Sequence, residues 1–276
     1  LRNVSYSNPI GYQKLANNLR ANQVVSRINR LYSSTKLSLG NVDIFHPTYY
    51  HSYFLDKVGK KPLVLTFHDV LSEKFGETYP VLGEGLSELK QRLLQRADVV
   101  ISVSEATKRG ILEYFDINEA KIKVIPLGTY LTKPSLSSEL TQILPKRYIL
   151  FVGRRDFYKN FDRFFEAITP ILHKDSDLHL ICAGGGGFIK EEKKAISLAK
   201  LERQVQYHPI VDDSTLGQLY GKAQVFVFPS LMEGFGLPVL EAMSCGCPVA
   251  LTTGTSFDEI AEDAAVYFEP EQIDSI

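Results

Sequence analysis

The sequence has few cysteines, almost no net charge and no long apolar run, and each shortage removes a class of protein. Its three cysteines, Cys182, Cys245 and Cys247, build no disulfide framework in 276 residues. They fit a reducing compartment. No apolar stretch approaches the ~20 residues that cross a bilayer. The opening Leu1-Arg2-Asn3-Val4-Ser5 has the pattern of neither a signal nor a transit peptide. A formal net charge of -1 leaves no global basic field to hold nucleic acid or an anionic membrane. Internal repeats and low-complexity tracts are lacking as well. What is present is 44% hydrophobic and 23% charged, the balance of a soluble globular protein. The length suits one large domain or two ordinary ones.

Apolar, β-rich runs with almost no charge fall at 42–45, 63–67, 99–103 and 123–125, then at 148–152, 178–183, 205–207, 224–228 and 248–251. Strands covered on both faces have this composition. Helical patterns lie between them. After Asn160, an expected N-cap, the residues Phe161, Phe164, Phe165, Ile168 and Leu172 form one apolar face. Asp213 is read as the cap of a helix that turns Leu216, Leu219 and Tyr220 inward. Segments 15–19 and 24–31 look helical, and no strand is legible before Val42. The strand–helix alternation implies right-handed βαβ units and doubly wound parallel sheets. A polar stretch with prolines, residues 129–146, reads as a linker. The expected organisation is an N-terminal domain over 1–128, the linker, and a C-terminal domain over 147–276. Two such open α/β domains face one cleft, and ligands bind beyond the carboxyl ends of the strands.

The richest chemistry lies in Phe228-Pro229-Ser230-Leu231-Met232-Glu233-Gly234-Phe235-Gly236-Leu237-Pro238-Val239-Leu240-Glu241-Ala242-Met243. A strand ends at Phe228, a loop with Gly234 and Gly236 follows, and Pro238 suits the first turn of a helix. The free N–H groups of that helix end make a site for a phosphate or diphosphate, which the glycines let the backbone approach closely. Glu241, inside the first turns, is placed to accept from a ribose diol. Glu233, on the loop, is free to face a sugar. A plain glycine-rich β–α turn would read similarly if only the glycines and one glutamate were present. A second group stands at the end of the run Tyr148-Ile149-Leu150-Phe151-Val152-Gly153-Arg154, with Lys159-Asn160 after it. Two cations near one strand end are able to clamp a diphosphate, although a solvated basic turn would look alike.

The first string, with seven residues between Glu233 and Glu241, resembles the E-x7-E signature of the retaining GT-B glycosyltransferases of family four. Its flanks, Phe-Pro-Ser-Leu before and Glu-Ala-Met-Ser-Cys-Gly-Cys-Pro-Val after, are similar to that family too. So are the segments 97–105, 124–128 and 255–265, and the resemblance runs over residues 42–271. It implies a GT-B fold of two Rossmann-like domains. It implies that Arg154 and Lys159 bind the donor phosphates, with Arg155 as the alternative arginine, and that His68, in Thr66-Phe67-His68-Asp69, contacts the donor sugar. Glu233 would hold sugar hydroxyls and Glu241 the ribose. Gly153, Gly234, Phe235, Gly236 and Leu237 would line the donor site, and Gly184 and Gly185 would approach the base. His46 lines the acceptor side or has a structural role, and Asp69 orients His68 or a sugar hydroxyl.

The implied activity moves a mannosyl or similar hexosyl group, with retention, from a nucleoside-diphosphate sugar to a hydroxyl of a sugar or lipid-linked saccharide. Polysaccharide or glycolipid biosynthesis is the family-level setting. The nucleotide sugar is a co-substrate; no cofactor, metal or nucleic acid is expected. The expected place is the cytoplasm. The amphipathic segment 86–96, with three basic residues, is a candidate for peripheral contact at the inner face of the membrane. Similar enzymes begin with a strand and glycine-rich loop not found before Asn41, and continue beyond 269–270, so both domains are expected to be incomplete at the chain ends. The rival readings are a catalytically inactive GT-B binding protein, a truncated fragment, or a nucleotide-sugar epimerase.

Three further patterns are set aside. Asp175-Ser176-Asp177 has a D-x-D form but falls at the wrong end of the sheet for a metal at this site. Gly184-Gly185-Gly186-Gly187 fails the G-x-G-x-x-G spacing, because Ile189 stands at the third glycine. Cys245-Gly246-Cys247 is too close and isolated for zinc, and Ser230 has no nucleophile-elbow context.

Overall fold

A computed structural model of the chain describes residues 19–40, 42–47, 49–80, 85–132 and 144–276. The opening pentapeptide, part of the helical segment 15–19 and the middle of the expected linker lie outside these residues. The chain divides into two compact units, Leu1–Thr66 with Glu88–Val100, and Phe67–Ser87 with Ile101–Ile276.

In chain order the first elements are α1 (Leu19–Leu39), α2 (Leu55–Val58), β1 (Val64–Phe67), α3 (Leu71–Phe75), α4 (Leu86–Arg96), β2 (Val99–Ser102), α5 (Glu105–Tyr114) and β3 (Ile122–Val124). The three strands form a sheet in the order β1-β2-β3. The run 42–45 is not a strand. Phe45 alone makes a parallel bridge to Leu63, with its ring 4.9 Å from that of Phe54. Asp43 and Ile44 are exposed there. Asp43 disfavours a strand, and Pro47 has no N–H to continue one. In α4, Lys90 is fully buried with its Nζ 5.3 Å from the Tyr50 ring, and Arg96 donates to the carbonyls of Gly59 and Lys61. Two of the three basic residues of this segment, the candidate for membrane contact, therefore serve packing.

The second unit carries a six-stranded parallel sheet in the order β6-β5-β4-β7-β8-β9. Its strands are β4 (Arg147–Val152), β5 (Leu178–Ala183), β6 (Val205–His208), β7 (Val225–Phe228), β8 (Val249–Thr252) and β9 (Val266–Phe268). The helices are α6 (Phe161–Lys174), α7 (Lys190–Leu198), α8 (Asp213–Lys222), α9 (Leu237–Ser244) and α10 (Phe257–Ala261). Alternation along β4 explains its charge-free run. Tyr148, Leu150 and Val152 pack with Leu219, Tyr220, Val239 and Phe257 on one face. Ile149 and Phe151 pack with Phe161, Phe164, Phe165, Ile168 and Leu172 of α6 on the other. Cys182, Cys245 and Cys247 are buried in these two cores, and burial pushes the Cys247 thiol up to about 12.

Two caps differ from expectation. Asn160 stands at the N-cap of α6 with φ 58°, but its amide donates to the carbonyl of Pro270 and accepts from Arg163 instead of capping the helix. Asparagine tolerates this left-handed backbone better than most residues. The cap of α8 is Asp212, which accepts from the Thr215 amide at 2.7 Å. Asp213 is the first helical residue and accepts from the Tyr130 hydroxyl. The topology itself points to a site. The chain leaves β4 toward β5 and β6, then returns to β7 on the other side. Ligands of open parallel sheets bind at such a switch, beyond the carboxyl ends of the two flanking strands.

Candidate active site

Both segments singled out in the sequence leave the sheet at this switch. Beyond β4 the chain passes Gly153, at φ +127°, and Arg154, then makes a single 3-10 turn, Phe157–Lys159. Beyond β7 it runs through residues 229–236 into α9, with Gly236 at the N-cap and Pro238 as the second helical residue. The Leu231 amide donates to the Tyr158 carbonyl at 2.7 Å, which ties the two loops together.

Lys159 and Glu233 meet there. The Lys159 ammonium donates to a Glu233 carboxylate oxygen at 2.6 Å, with the two side chains 15% and 12% exposed. The same ammonium lies 4.9 Å from the Phe228 ring centroid and 5.0 Å from that of Tyr158. Burial, aided by Glu233 and Asp69, pushes the Tyr158 hydroxyl above its ordinary range, so it stays neutral. Glu233 precedes Gly236, the N-cap of α9, by three residues, so the pair joins the loop after β4 to the loop that leads into that helix.

Glycine is required twice in this loop. A Cβ on Gly234 would stand 1.8 Å from the His68 carbonyl oxygen, so only glycine lets the loop press against the end of β1. At Gly236, φ is +112° and a Cβ would meet the Phe257 ring at 2.7 Å. His68 is thus beside Gly234 through its backbone, and it is half-buried. Asp69 accepts from the Leu71 amide at 3.1 Å. His46 is bonded to the Thr66 hydroxyl at 2.8 Å, in the first unit.

The two arginines after Gly153 have separate work. Arg154 is 63% exposed and paired with Asp156. Arg155 is 3% exposed and donates to Glu192 at 2.9 Å and to the carbonyls of Gly184, Gly186 and Gly187. Those carbonyls belong to the glycine turn after β5, where Gly185 has φ +66° and a Cβ would stand 2.4 Å from the Gly153 oxygen. Gly184 and Gly185 are therefore packed against Gly153 and Arg154. Glu241 is half-buried on α9 and accepts from the Tyr220 hydroxyl at 3.3 Å. Phe235 is buried and Leu237 is 37% exposed. A cavity of about 190 Å³ opens beside Glu233, with Lys74, Arg109 and Ser256 among its lining residues.

Sequence reasoning missed several contacts here. Ser104 and Thr107 donate to the Gly234 carbonyl, Ser256 donates to that of Phe235, and Glu259 accepts from the Glu105 and Ala106 amides at the start of α5. Of these, only Ser104 carried a signal, as a serine before a helix. The patterns set aside lie elsewhere. Asp175 accepts from Arg147 and from the Asp177 amide in the turn between α6 and β5, and Ser230 is fully buried. Among the described residues, no group of three or more His, Cys, Asp or Glu is placed to hold a metal.

The family model described as glycosyl transferases group 1 matches residues 134–276, which include the whole six-stranded sheet and its loops. The chain belongs to that family. A second model, glycosyltransferase family 4, matches residues 2–133 of this group 1 chain. Among relatives, the O-antigen chain mannosyltransferase B of Escherichia coli is 29% identical over 249 residues, covering 84% of this chain and 63% of the relative. The O-antigen chain mannosyltransferase RfbU of Salmonella typhimurium is 26% identical over 241 residues, covering 81% and 66%. The chain thus spans a little under two thirds of the length of these relatives. A solved sucrose-phosphate synthase from Thermosynechococcus elongatus matches with TM-score 0.74 and 21% identity, covering 92% of this chain and 67% of that one. Anabaena HepE in complex with UDP and glucose matches with TM-score 0.72 and 21% identity, covering 92% and 69%. These likenesses carry the fold, which is GT-B. Among the described residues, no helix of the group 1 chain is long and apolar enough to cross a membrane.

Proposed function

We propose that the protein is a hexosyltransferase that moves a mannosyl or similar group from a nucleoside-diphosphate sugar to a saccharide hydroxyl, with retention and without a metal. The observation that carries this reading is the Lys159–Glu233 pair, which joins the loop after β4 to the loop leading into α9 at the switch point of the six-stranded sheet. The transition state resembles an oxocarbenium ion leaving a diphosphate. Negative charge grows on the leaving group, where Lys159, Arg154 and the amides at the start of α9 would oppose it. Glu233, held by Lys159, would bind sugar hydroxyls. The names of the O-antigen mannosyltransferases support polysaccharide synthesis as the setting and mannose as the first sugar to try. The acceptor is a free or lipid-linked saccharide. The segment α4 offers little positive charge to a membrane surface, because Lys90 is buried and Arg96 holds two carbonyls.

The test is donor turnover by purified protein with GDP-mannose, UDP-glucose and ADP-glucose, alongside a thermal-shift screen of the same compounds. At least one donor is expected to raise Tm and to be consumed. No shift and no turnover with any of them would overturn the reading.

Glu241 gives a prediction with two opposed readouts. Burial raises its carboxyl above the ordinary range, and the Tyr220 hydroxyl offsets part of that. A carboxyl raised by folding binds its proton more tightly in the native state. Stability therefore falls as pH climbs from the ordinary carboxyl value through the raised one. At pH 7, above the ordinary carboxyl value, this preference for the proton works against folding. Glu241→Gln is expected to hold Tm at pH 7 equal to or above that of the native chain. It should weaken donor binding about tenfold, because an amide offers a ribose diol one accepting oxygen instead of two. Calorimetry and donor titration on the same samples check this. A lower Tm with unchanged donor binding would assign Glu241 to the fold alone.

A further inference from the structure

The loop before α9 has its carbonyls held by hydroxyls that no part of the proposed mechanism uses. Ser104 donates to the Gly234 carbonyl at 2.6 Å, and Thr107 donates to the same oxygen at 2.8 Å. Ser256 donates to the Phe235 carbonyl at 2.6 Å and lies 3.1 Å from that of Glu233. All three side chains are 1% exposed or less. Ser104 is satisfied on its other side, where its oxygen accepts from the Thr107 amide at 2.9 Å as the N-cap of α5.

This arrangement fixes the direction of two peptide groups. The chain contains no cis peptide among the described residues. In a trans peptide the carbonyl and the following N–H point opposite ways. With the Gly234 oxygen turned to Ser104 and Thr107, the Phe235 N–H points away from α5. With the Phe235 oxygen turned to Ser256, the Gly236 N–H points away from α10. Among the described residues, neither amide has a protein acceptor. Turning the first peptide over would break two hydrogen bonds and strand two buried hydroxyls without acceptors, which is costly in a dry site. Gly234 and Gly236 give these peptides a wider choice of backbone conformation than residues with a Cβ would. The hydroxyls thus remove a freedom that the glycines create.

We infer that Ser104, Thr107 and Ser256 are positioning residues that aim the Phe235 and Gly236 amides at the donor diphosphate. The inference rests on the proposed donor reading and deepens it. Amides fixed before the reaction stabilise growing charge without reorganising when it appears. None of the three hydroxyls touches the donor in this account.

Ser104 also caps α5, so its loss lowers stability for a second reason. Thr107→Val and Ser256→Ala leave that cap in place and make the cleaner test. The double variant is expected to lower kcat about tenfold to a hundredfold with the acceptor KM unchanged. It should weaken binding of GDP, UDP or ADP, whichever the native chain takes, by about tenfold. With the nucleotide bound, hydrogen exchange at Phe235 and Gly236 should be faster than in the native complex, and Thr107→Ser should restore kcat. Unchanged kcat and nucleotide affinity in the double variant would overturn the assignment of the hydroxyls and leave the donor reading standing. So would a loss that follows Tm alone and is not rescued by serine. If the native chain binds none of GDP, UDP and ADP, the donor reading falls and this assignment falls with it.

Discussion

Lys159→Met is expected to lower kcat/KM for a nucleoside-diphosphate hexose by about a thousandfold, the size seen when a fixed donor to developing charge is removed. Methionine is an unbranched chain of similar reach, and its sulfur makes favourable contacts with aromatic rings such as Phe228 and Tyr158, which the ammonium faces in the native chain. What disappears is the charge, and it disappears from two places. The leaving diphosphate loses a cation, and Glu233 loses the partner 2.6 Å away that fixes its carboxylate. The loss should therefore be shared between kcat and donor KM. Glu233→Gln alone should cost less, because Lys159 remains for the leaving group. The double variant should be little worse than Lys159→Met, since residues that act as a unit are not additive. Steady-state kinetics on the three variants, with Tm measured on each, decide the matter. A Lys159→Met protein that keeps more than a tenth of native activity removes Lys159 from the chemistry.

The sequence puts Lys159 and Glu233 at one donor site through their motifs, on the phosphates and on the sugar respectively, and does not show the ion pair between them. Each comes after an apolar run, 148–152 or 225–228, and these runs announce themselves because both faces of the strand are buried. The strand order brings the two ends side by side. The last strand, Val266–Phe268, was not legible. It has three residues at a sheet edge, with Val266 71% exposed, and such a segment has no two-sided burial to leave a signature. Phe45 misled in the opposite sense. Its neighbours looked like a strand, yet only one residue of the run pairs. The hydroxyls on the loop carbonyls were hidden for another reason. Ser104 and Thr107 act on Gly234 across about 130 residues of sequence, and a serine or threonine looks the same whether it holds a buried carbonyl or faces water.

The adjacent arginines show what sequence alone does not separate, and they give the largest expected effect on stability. Arg155→Ala should destabilise the chain by about 3–5 kcal/mol, the cost of leaving one partner of a buried ion pair alone. Glu192, 9% exposed, would lose its cation, and the carbonyls of Gly184, Gly186 and Gly187 would lose their donor. The guanidinium also lies over the rings of Phe188 and Tyr207, so packing is lost with the charge. Because the glycine turn rests on Gly153 and Arg154, it should loosen and carry donor affinity down with it. Arg155→Lys should recover little, since one ammonium does not reach a carboxylate and three carbonyls in the fork geometry of arginine. Arg154→Ala should do the reverse. It removes an exposed cation paired to one neighbour, so Tm should barely move while turnover of the donor falls about tenfold to a hundredfold. Urea denaturation and donor kinetics on both variants separate the roles. If Arg155→Ala were as stable as the native chain and Arg154→Ala fully active, the division between a buried bolt and a solvent-side clamp would be wrong. The diphosphate would then need another cation.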